Sequence, residues 1–237
     1  MMSPIRICLA AALVSAAALS SGCNVGGFLA NAAAGVAGQA TVEASYKNLA
    51  NQKCAIMVWA DEGVLDDYRS LQLDVARGVE LKLLSAAKVD VKEVANITWL
   101  SPEQVLMFQQ NHNDATTEAV EEIAPRLGIT RLIYVEIEQF ETHPSNSPDL
   151  WRGNMIANIE VVEVNGGLGK VVYNERNVKV VSPKDCPEEG LPNLDDQTVY
   201  AATVDTFTSE IGKRFVPHEA DAGSNPSPSD YQSNAQP

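Results

Sequence analysis

The side chain with the most distinctive chemical setting is Cys23. It follows Leu19-Ser20-Ser21-Gly22, and small residues before a cysteine let the chain enter a peptidase site in extended form, with the thiol free as a nucleophile. Of the other cysteines, Cys8 lies within the apolar amino terminus, while Cys54 and Cys186 remain as a pair that an oxidising compartment could bridge. His112, His143 and His218 have no Cys, His or Asp at metal-ligand spacing, so they read as solvent-facing polar residues and no metal is expected. Glu121-Glu122 and Glu188-Glu189 are adjacent carboxylates that point different ways, and they read as solvated charge. Gly166-Gly167-Leu168-Gly169 lacks the lysine and following helix of a phosphate loop. There is no Gly-x-Ser-x-Gly elbow. No enzyme activity and no cofactor are expected.

What precedes Cys23 gives it meaning. Arg6 is followed by the apolar run Ile7–Leu19, too short to span a bilayer but suited to the core of an export signal. Leu19-Ser20-Ser21-Gly22-Cys23 resembles the lipobox of bacterial lipoproteins, usually Leu-Ala/Ser-Gly/Ala-Cys; Ser20 stands where the leucine is usual. The resemblance implies a signal over residues 1–22, a lipid on Cys23 and an anchored chain facing the periplasm. The alternative is an ordinary secretory signal with Cys23 left free. Asn24, not Asp, follows the cysteine, which favours the outer membrane over the inner. Residues 23–46, with the uncharged stretch VGGFLANAAAGVAGQA, read as a Gly/Ala-rich tether, or alternatively as a short small-residue helix packing on a membrane partner.

The chain has 237 residues and a formal net charge of -14. The part between tether and tail is long enough for one domain with its own core. Such a field repels phosphate backbones, which excludes nucleic acid as a partner, and it argues against an electrostatic hold on anionic lipids. Attachment is then left to a hydrophobic device.

The elements that must position any surface follow from periodicity. Lys53–Ala60, KCAIMVWA, is a continuous apolar run, as a buried central strand would be. Tyr68, Leu71, Val75, Val79 and Leu83 give one apolar face to a helix over 67–87. VDVKEV (89–94) alternates like a half-exposed strand. Ser101-Pro102-Glu103-Gln104 is a helix start, with Trp99 as a hydrophobic staple, and a further helix over 117–127 ends at Gly128. Strands are expected over 131–141, 154–165 and 170–181, the last two joined by a glycine turn. A Pro- and acid-rich loop precedes a last helix over 197–215. The expected product is an α/β domain over 47–216: a single mixed sheet of about five strands, helices mainly on one face, and a carboxy-terminal helix. Residues 217–237 read as a disordered polar tail.

Three local sequences carry a wider resemblance: KCAIMVWA, the helix end Ala124-Pro125-Arg126-Leu127-Gly128 leading into RLIYVEIE, and VVEVNGGLGKVVY. They resemble a group of periplasmic lipoprotein domains. The group includes the periplasmic domain of the curli secretion channel CsgG, the amino-terminal domain of the TolB propeller protein and the peptidoglycan-synthase activator LpoB. The resemblance implies protein binding or assembly, a protein partner in the envelope, and no catalytic residue to carry over. The curli channel adds two long alternating hairpins to this core. Here the connection THPSNSPDLWRG (142–153) is short and no spare pair remains, which argues against a pore.

The expected function is a lipid-anchored, non-enzymatic binding or assembly module. Its candidate partner-binding residues are Trp59, Asp61 and Glu62, at the end of a central strand, and Trp151 and Arg152, in a polar connection. The tryptophans have packing as their alternative role. A homo-oligomeric envelope assembly and an envelope hydrolase are the competing readings; the second would need a cleft with convergent carboxylates.

Overall fold

A computed structural model describes residues 41–112, 118–144, 147 and 149–220. Cys23, the expected signal, most of the tether and the tail from residue 221 lie outside the described residues. The chain divides into a unit spanning Val42–His218 and a second made of the chain ends. Of the second, only residues 41, 219 and 220 are described.

The elements in chain order are β1 (Thr41–Val42), β2 (Lys53–Ala60), α1 (Glu62–Asp67), α2 (Leu71–Lys88), β3 (Thr98–Trp99), α3 (Pro102–Asn111), α4 (Val120–Arg126), β4 (Arg131–Glu141), β5 (Gly153–Asn165), β6 (Leu168–Ser182), α5 (Asp196–Lys213) and β7 (His218–Glu219). The main sheet has the order β3-β2-β4-β5-β6, and β1 pairs with β7 in a small second sheet. Strand β2 is parallel to β3 and β4, whereas β4, β5 and β6 run antiparallel to one another. The single mixed sheet of five strands with a carboxy-terminal helix is thus the one the periodicity implies.

The two long helices, α2 and α5, cover one face. Leu71, Val75, Val79 and Leu83 of α2 and Phe207 and Ile211 of α5 meet Ile56, Val58, Ile133, Val135 and Ile159 of the sheet in the larger core. The shorter α3 and α4 cover part of the opposite face over Ala55, Met57, Leu132 and Val162. Strand β2 is therefore buried on both sides, which is why it reads as an unbroken apolar run rather than an alternating one. Ser101 caps α3 through Gln104 N, Pro102 opens its first turn, and Asp195 caps α5 through Thr198 N at 2.9 Å. Gly128, at φ +63°, ends the segment after α4 in the left-handed conformation that glycine adopts most readily.

Four expectations change. The helix expected over 67–87 starts later, at Leu71, and a separate short helix, α1, precedes it, with Tyr68–Ser70 between them. Tyr68 turns inward there: its ring meets Phe140 at 4.6 Å and Tyr200 at 5.8 Å, and its hydroxyl bonds Thr142. VDVKEV is not a strand. Asp90 has φ +62°, Lys92–Val94 is a short 3-10 turn, and β3 falls later, at Thr98–Trp99. The alternation was produced by Val94 being drawn fully into the core from a turn. The packed part also begins before Lys47, because Ala44 and Tyr46 are buried, and its unit continues to His218. Finally, Cys54 and Cys186 are free thiols, not a bridge. Cys54 pairs with Arg131 at the start of β4, and Cys186 bonds the carbonyl of Trp151, beyond the far end of that strand. Roughly 30 Å of sheet separates them, several times the span of a disulfide. Burial pushes the Cys54 thiol up to about 12, with Arg131 pulling weakly the other way, so it is a packing residue with little thiolate character.

The carboxy-terminal end of α5 is fastened to β6 by charge. Arg214 donates Nε and Nη2 to the two oxygens of Glu175 at 3.0 and 2.8 Å, and Tyr173 donates its hydroxyl to the same carboxylate. Burial alone would raise the Glu175 carboxyl, but the Arg214 and Tyr173 hydrogen bonds outweigh it and hold the group below its ordinary range. The Glu175 contribution to stability is therefore present above the unfolded value, and it is lost as pH falls through the lower folded value. Replacing Arg214 with Met leaves burial opposed only by the Tyr173 hydrogen bond, so the Glu175 carboxyl rises. We expect Arg214→Met to cost about 2 kcal/mol at neutral pH, less than a fully buried pair because Glu175 stays partly solvated. The gap from the parent should narrow as pH falls through the carboxylate range, because the variant's carboxyl takes up its proton before the parent's does. Urea denaturation at several pH values checks this, and a pH-independent gap would contradict it.

Candidate functional site

Call upper the end of the sheet where β2 and β4 finish and β5 begins. All five candidate partner-binding residues lie at or beyond this end. Trp59 follows Ala55 and Met57 on the face opposite α2 and α5, half-buried and in register with Glu136. Two glutamines fix the strand end beside it, Gln72 and Gln109, both donating to the Val58 carbonyl, at 2.9 and 3.0 Å. Asp61 and Glu62 are exposed, and the backbone of Asp61 begins α1.

Trp151 sits in a loop ordered by backbone bonds. Its N–H and C=O exchange hydrogen bonds with Leu191, both at 2.9 Å, and its ring meets His143 at 6.1 Å edge to face. The Arg152 N–H donates to the Thr142 carbonyl at 2.9 Å. The Arg152 Nε is buried without an acceptor, as is the Asn154 Oδ1 without a donor. An unsatisfied buried donor costs about 1–3 kcal/mol, so this loop is held less favourably than the sheet beneath it. Trp59, Asp61 and Glu62 lie at the tip of β2; Trp151 and Arg152 lie beyond the last paired residues of β4. The two groups share an end of the sheet, but nothing among the described residues joins them into one pocket.

Two concavities lie elsewhere. A cleft of about 480 Å³ opens between the first turn of α4 and the sheet face that α3 and α4 leave bare. Glu121, Tyr134, Glu136, Glu160 and Asn174 line it. Its floor is organised by Asn158, almost wholly buried, whose amide donates to Glu136 at 3.1 Å and Glu138 at 2.7 Å while its carbonyl accepts the Asn177 N–H at 3.1 Å. Glu160 accepts from Asn174 and Arg176. Burial raises the Glu160 carboxyl; Arg176 opposes this, and Glu121 and Glu136 add to it. Among the described residues no group of three or more His, Cys, Asp or Glu side chains could hold a metal ion. Sequence reading missed this cleft. Its signal was the repeat of Glu136, Glu138, Asn158 and Glu160 at alternate strand positions, which reads equally well as a solvated face.

The second concavity, about 580 Å³, is a groove between α2 and α5 along Gly78, Leu81, Val204 and Thr208. It is closed at its ends by Tyr200 on Asp74 and Lys82 on Asp205, both at 2.7 Å. No described helix is long and apolar enough to cross a membrane.

The class that fold and site define is an α/β domain with a mixed five-stranded sheet and acid-rich loops at one end. No protein-family description and no curated relative matches the sequence. Among solved structures it is similar to a PelC dodecamer from Paraburkholderia phytofirmans, at 8% identity over 75% of this chain and 96% of that one, TM-score 0.38. It is similar to a lipoprotein from Neisseria meningitidis, at 11% identity over 67% and 94%, TM-score 0.35. A hypothetical protein from Chlamydia trachomatis matches at 12% identity over 56% and 72%, TM-score 0.32. Likeness at this level transfers no function.

Proposed function

We propose that this chain is a lipid-anchored, non-enzymatic binding or assembly module of the cell envelope. It faces the periplasm, from the outer membrane in preference to the inner, and engages a protein partner. The observation that carries the reading is Cys23 itself: a cysteine behind Ser-Ser-Gly, at the end of a 13-residue apolar run with Arg6 before it. Acyl chains on that thiol supply location, and the uncharged stretch after it supplies reach. The partner meets the upper loops, where Trp59, Asp61, Glu62, Trp151 and Arg152 combine aromatic surface with charge. The likeness of KCAIMVWA and VVEVNGGLGKVVY to periplasmic assembly domains supports the same reading. A hydrolase would have to work from the Glu136–Glu160 cleft, whose carboxylates are engaged by Asn158, Asn174 and Arg176.

Intact mass measurement of the protein purified from membranes tests this. The expected species begins at Cys23 and carries fatty acid. A chain beginning at Met1, or a bare residue 23 thiol, overturns the proposal.

A further inference from the structure

The net charge of -14 is an average over two unlike ends. At the upper end the loops spanning 61–70, 142–152 and 183–196 hold ten carboxylates against three bases, Arg69, Arg152 and Lys184. The lower end, where β2 and β4 begin, includes the stretches 43–53, 88–97, 127–130 and 165–170. These stretches hold Lys47, Lys53, Lys88, Lys92 and Lys170 against three acids, Glu43, Asp90 and Glu93, and Glu121 of α4 lies beside them, its backbone packed on Gly169. All five lysines are exposed. Lys47 pairs with Glu43, while Lys53, Lys88, Lys92 and Lys170 are in no ion pair among the described residues.

The same end carries the two most exposed large apolar side chains among the described residues, Val89 at 73% and Leu168 at 77%. Both sit at tips. Val89 follows the last turn of α2, and Leu168 follows the Gly166-Gly167 turn of the β5–β6 hairpin. Backbone bonds place both tips at the lower end: Asn51 N–H to Ala95 O ties the 88–97 loop to the start of β2, and Val164 N–H to Thr130 O ties the hairpin to the start of β4. The sheet order then sets them roughly 20 Å apart, across the sheet. The described chain also enters here. Tyr46 donates its N–H to Arg214 O and its hydroxyl to Glu163 at the foot of β5.

We propose that this end lies against an anionic lipid surface, with the lysines over the headgroups and Val89 and Leu168 dipping between them. Two apolar points flanked by exposed cations, on an otherwise acidic globule, match the chemistry of such a surface: each lysine gains from the surface potential, and each tip buries its side chain in the interfacial layer. The acidic upper end then points away from the lipid, toward whatever the upper loops bind. The inference rests on the envelope reading for bringing the chain to a membrane, yet it needs no acyl chain to be tested. It also qualifies the expectation drawn from net charge, since the repulsion resides at the opposite pole.

The test is millisecond hydrogen–deuterium exchange of the native protein with two kinds of vesicle, phosphatidylglycerol mixed with phosphatidylcholine, and phosphatidylcholine alone. Exchange around residues 88–92 and 165–170 should slow on the anionic vesicles only, with 61–67 and 185–189 unchanged. Neutralising each of Lys88, Lys92 and Lys170 to Gln should reduce the docked population about fivefold. These side chains are exposed, so the fold should survive. Protein that sediments with both vesicles but shows no lipid-dependent protection overturns the inference and leaves the anchor standing. Protein held by anionic vesicles alone, protected at the lower tips, supports the inference while the anchor fails. Protection at the upper loops overturns it.

Discussion

Gly153→Ala should destabilise the protein by about 3 kcal/mol, at the upper end of overpacking costs. Gly153 opens β5 directly beneath the Trp151–Arg152 loop, and α5 packs onto its bare backbone. A Cβ added there would lie 1.7 Å from the Thr203 Oγ1 and 3.0 Å from its Cβ. Rotating Thr203 removes only part of the clash. It also breaks the bond from its hydroxyl to the Val199 carbonyl, at 2.7 Å, in a side chain with no solvent exposure. The remaining response is to lift α5 from the sheet, opening the core around Phe207 and Ile211. Urea midpoints of four proteins separate clash from propensity: parent, Gly153→Ala, Thr203→Ala and the double variant. The double variant should be less destabilised than the sum of the singles. Strict additivity would mean that the close approach is not the cause.

What the sequence conveyed depends on whether a signal is local. Strand β4 matches its expected limits, Arg131–Glu141, because apolar residues on both faces of a central strand are a property of that segment alone. The Ser101 cap and the Gly128 stop are local for the same reason. The break at Tyr68 is not. It depends on Phe140 and Thr142, more than 70 residues away in the chain. VDVKEV misled because valines spaced three apart in a turn and valines alternating in a strand give similar short patterns. The proposed surfaces were legible to different degrees. Trp59 and Trp151 stand out by type, and both lie at the upper end. The Asn158-centred cleft was hidden, since Glu136 and Asn158 become neighbours only through the β4–β5 register.

Charge segregation was invisible for a related reason. Strand order and helix direction decide which loops share an end. Helices α2 and α5 both run from the upper end to the lower one, with Gln72 of α2 on Val58 and Asp196 of α5 on Thr142 at the top. Their first turns therefore bring Asp74 and Asp196 toward the acidic pole, and their last turns bring Lys88 and Lys213 toward the other. Acids at helix starts and bases at helix ends each relieve the helix dipole locally. Two long helices laid in the same direction turn that local preference into a polarity of the whole domain.

Cys23→Ala should abolish fatty-acid incorporation and release the protein from membranes washed with alkaline carbonate. On the proposed reading the acyl group would reach the chain through a thioether made by the cysteine sulfur, and alanine offers no nucleophile in its place. Each buried methylene of an acyl chain contributes about 0.8 kcal/mol of membrane affinity, so two or three such chains would hold the protein effectively permanently. Besides the exposed Val89 and Leu168 tips, the variant keeps the Ile7–Leu19 run, 13 residues long, as hydrophobic material for attachment. At about 1.5 Å per residue, a helix of that length falls well short of a hydrocarbon core about 30 Å thick. The lysine-bearing end cannot compensate through the wash, because high pH and salt remove electrostatic contacts first. Labelled palmitate in the parent and none in Cys23→Ala, with the variant in the supernatant, is the expected pair of results. A variant that still incorporates label places the lipid on another residue. A parent without label removes the anchor, and the domain would then have to be held by its surfaces alone.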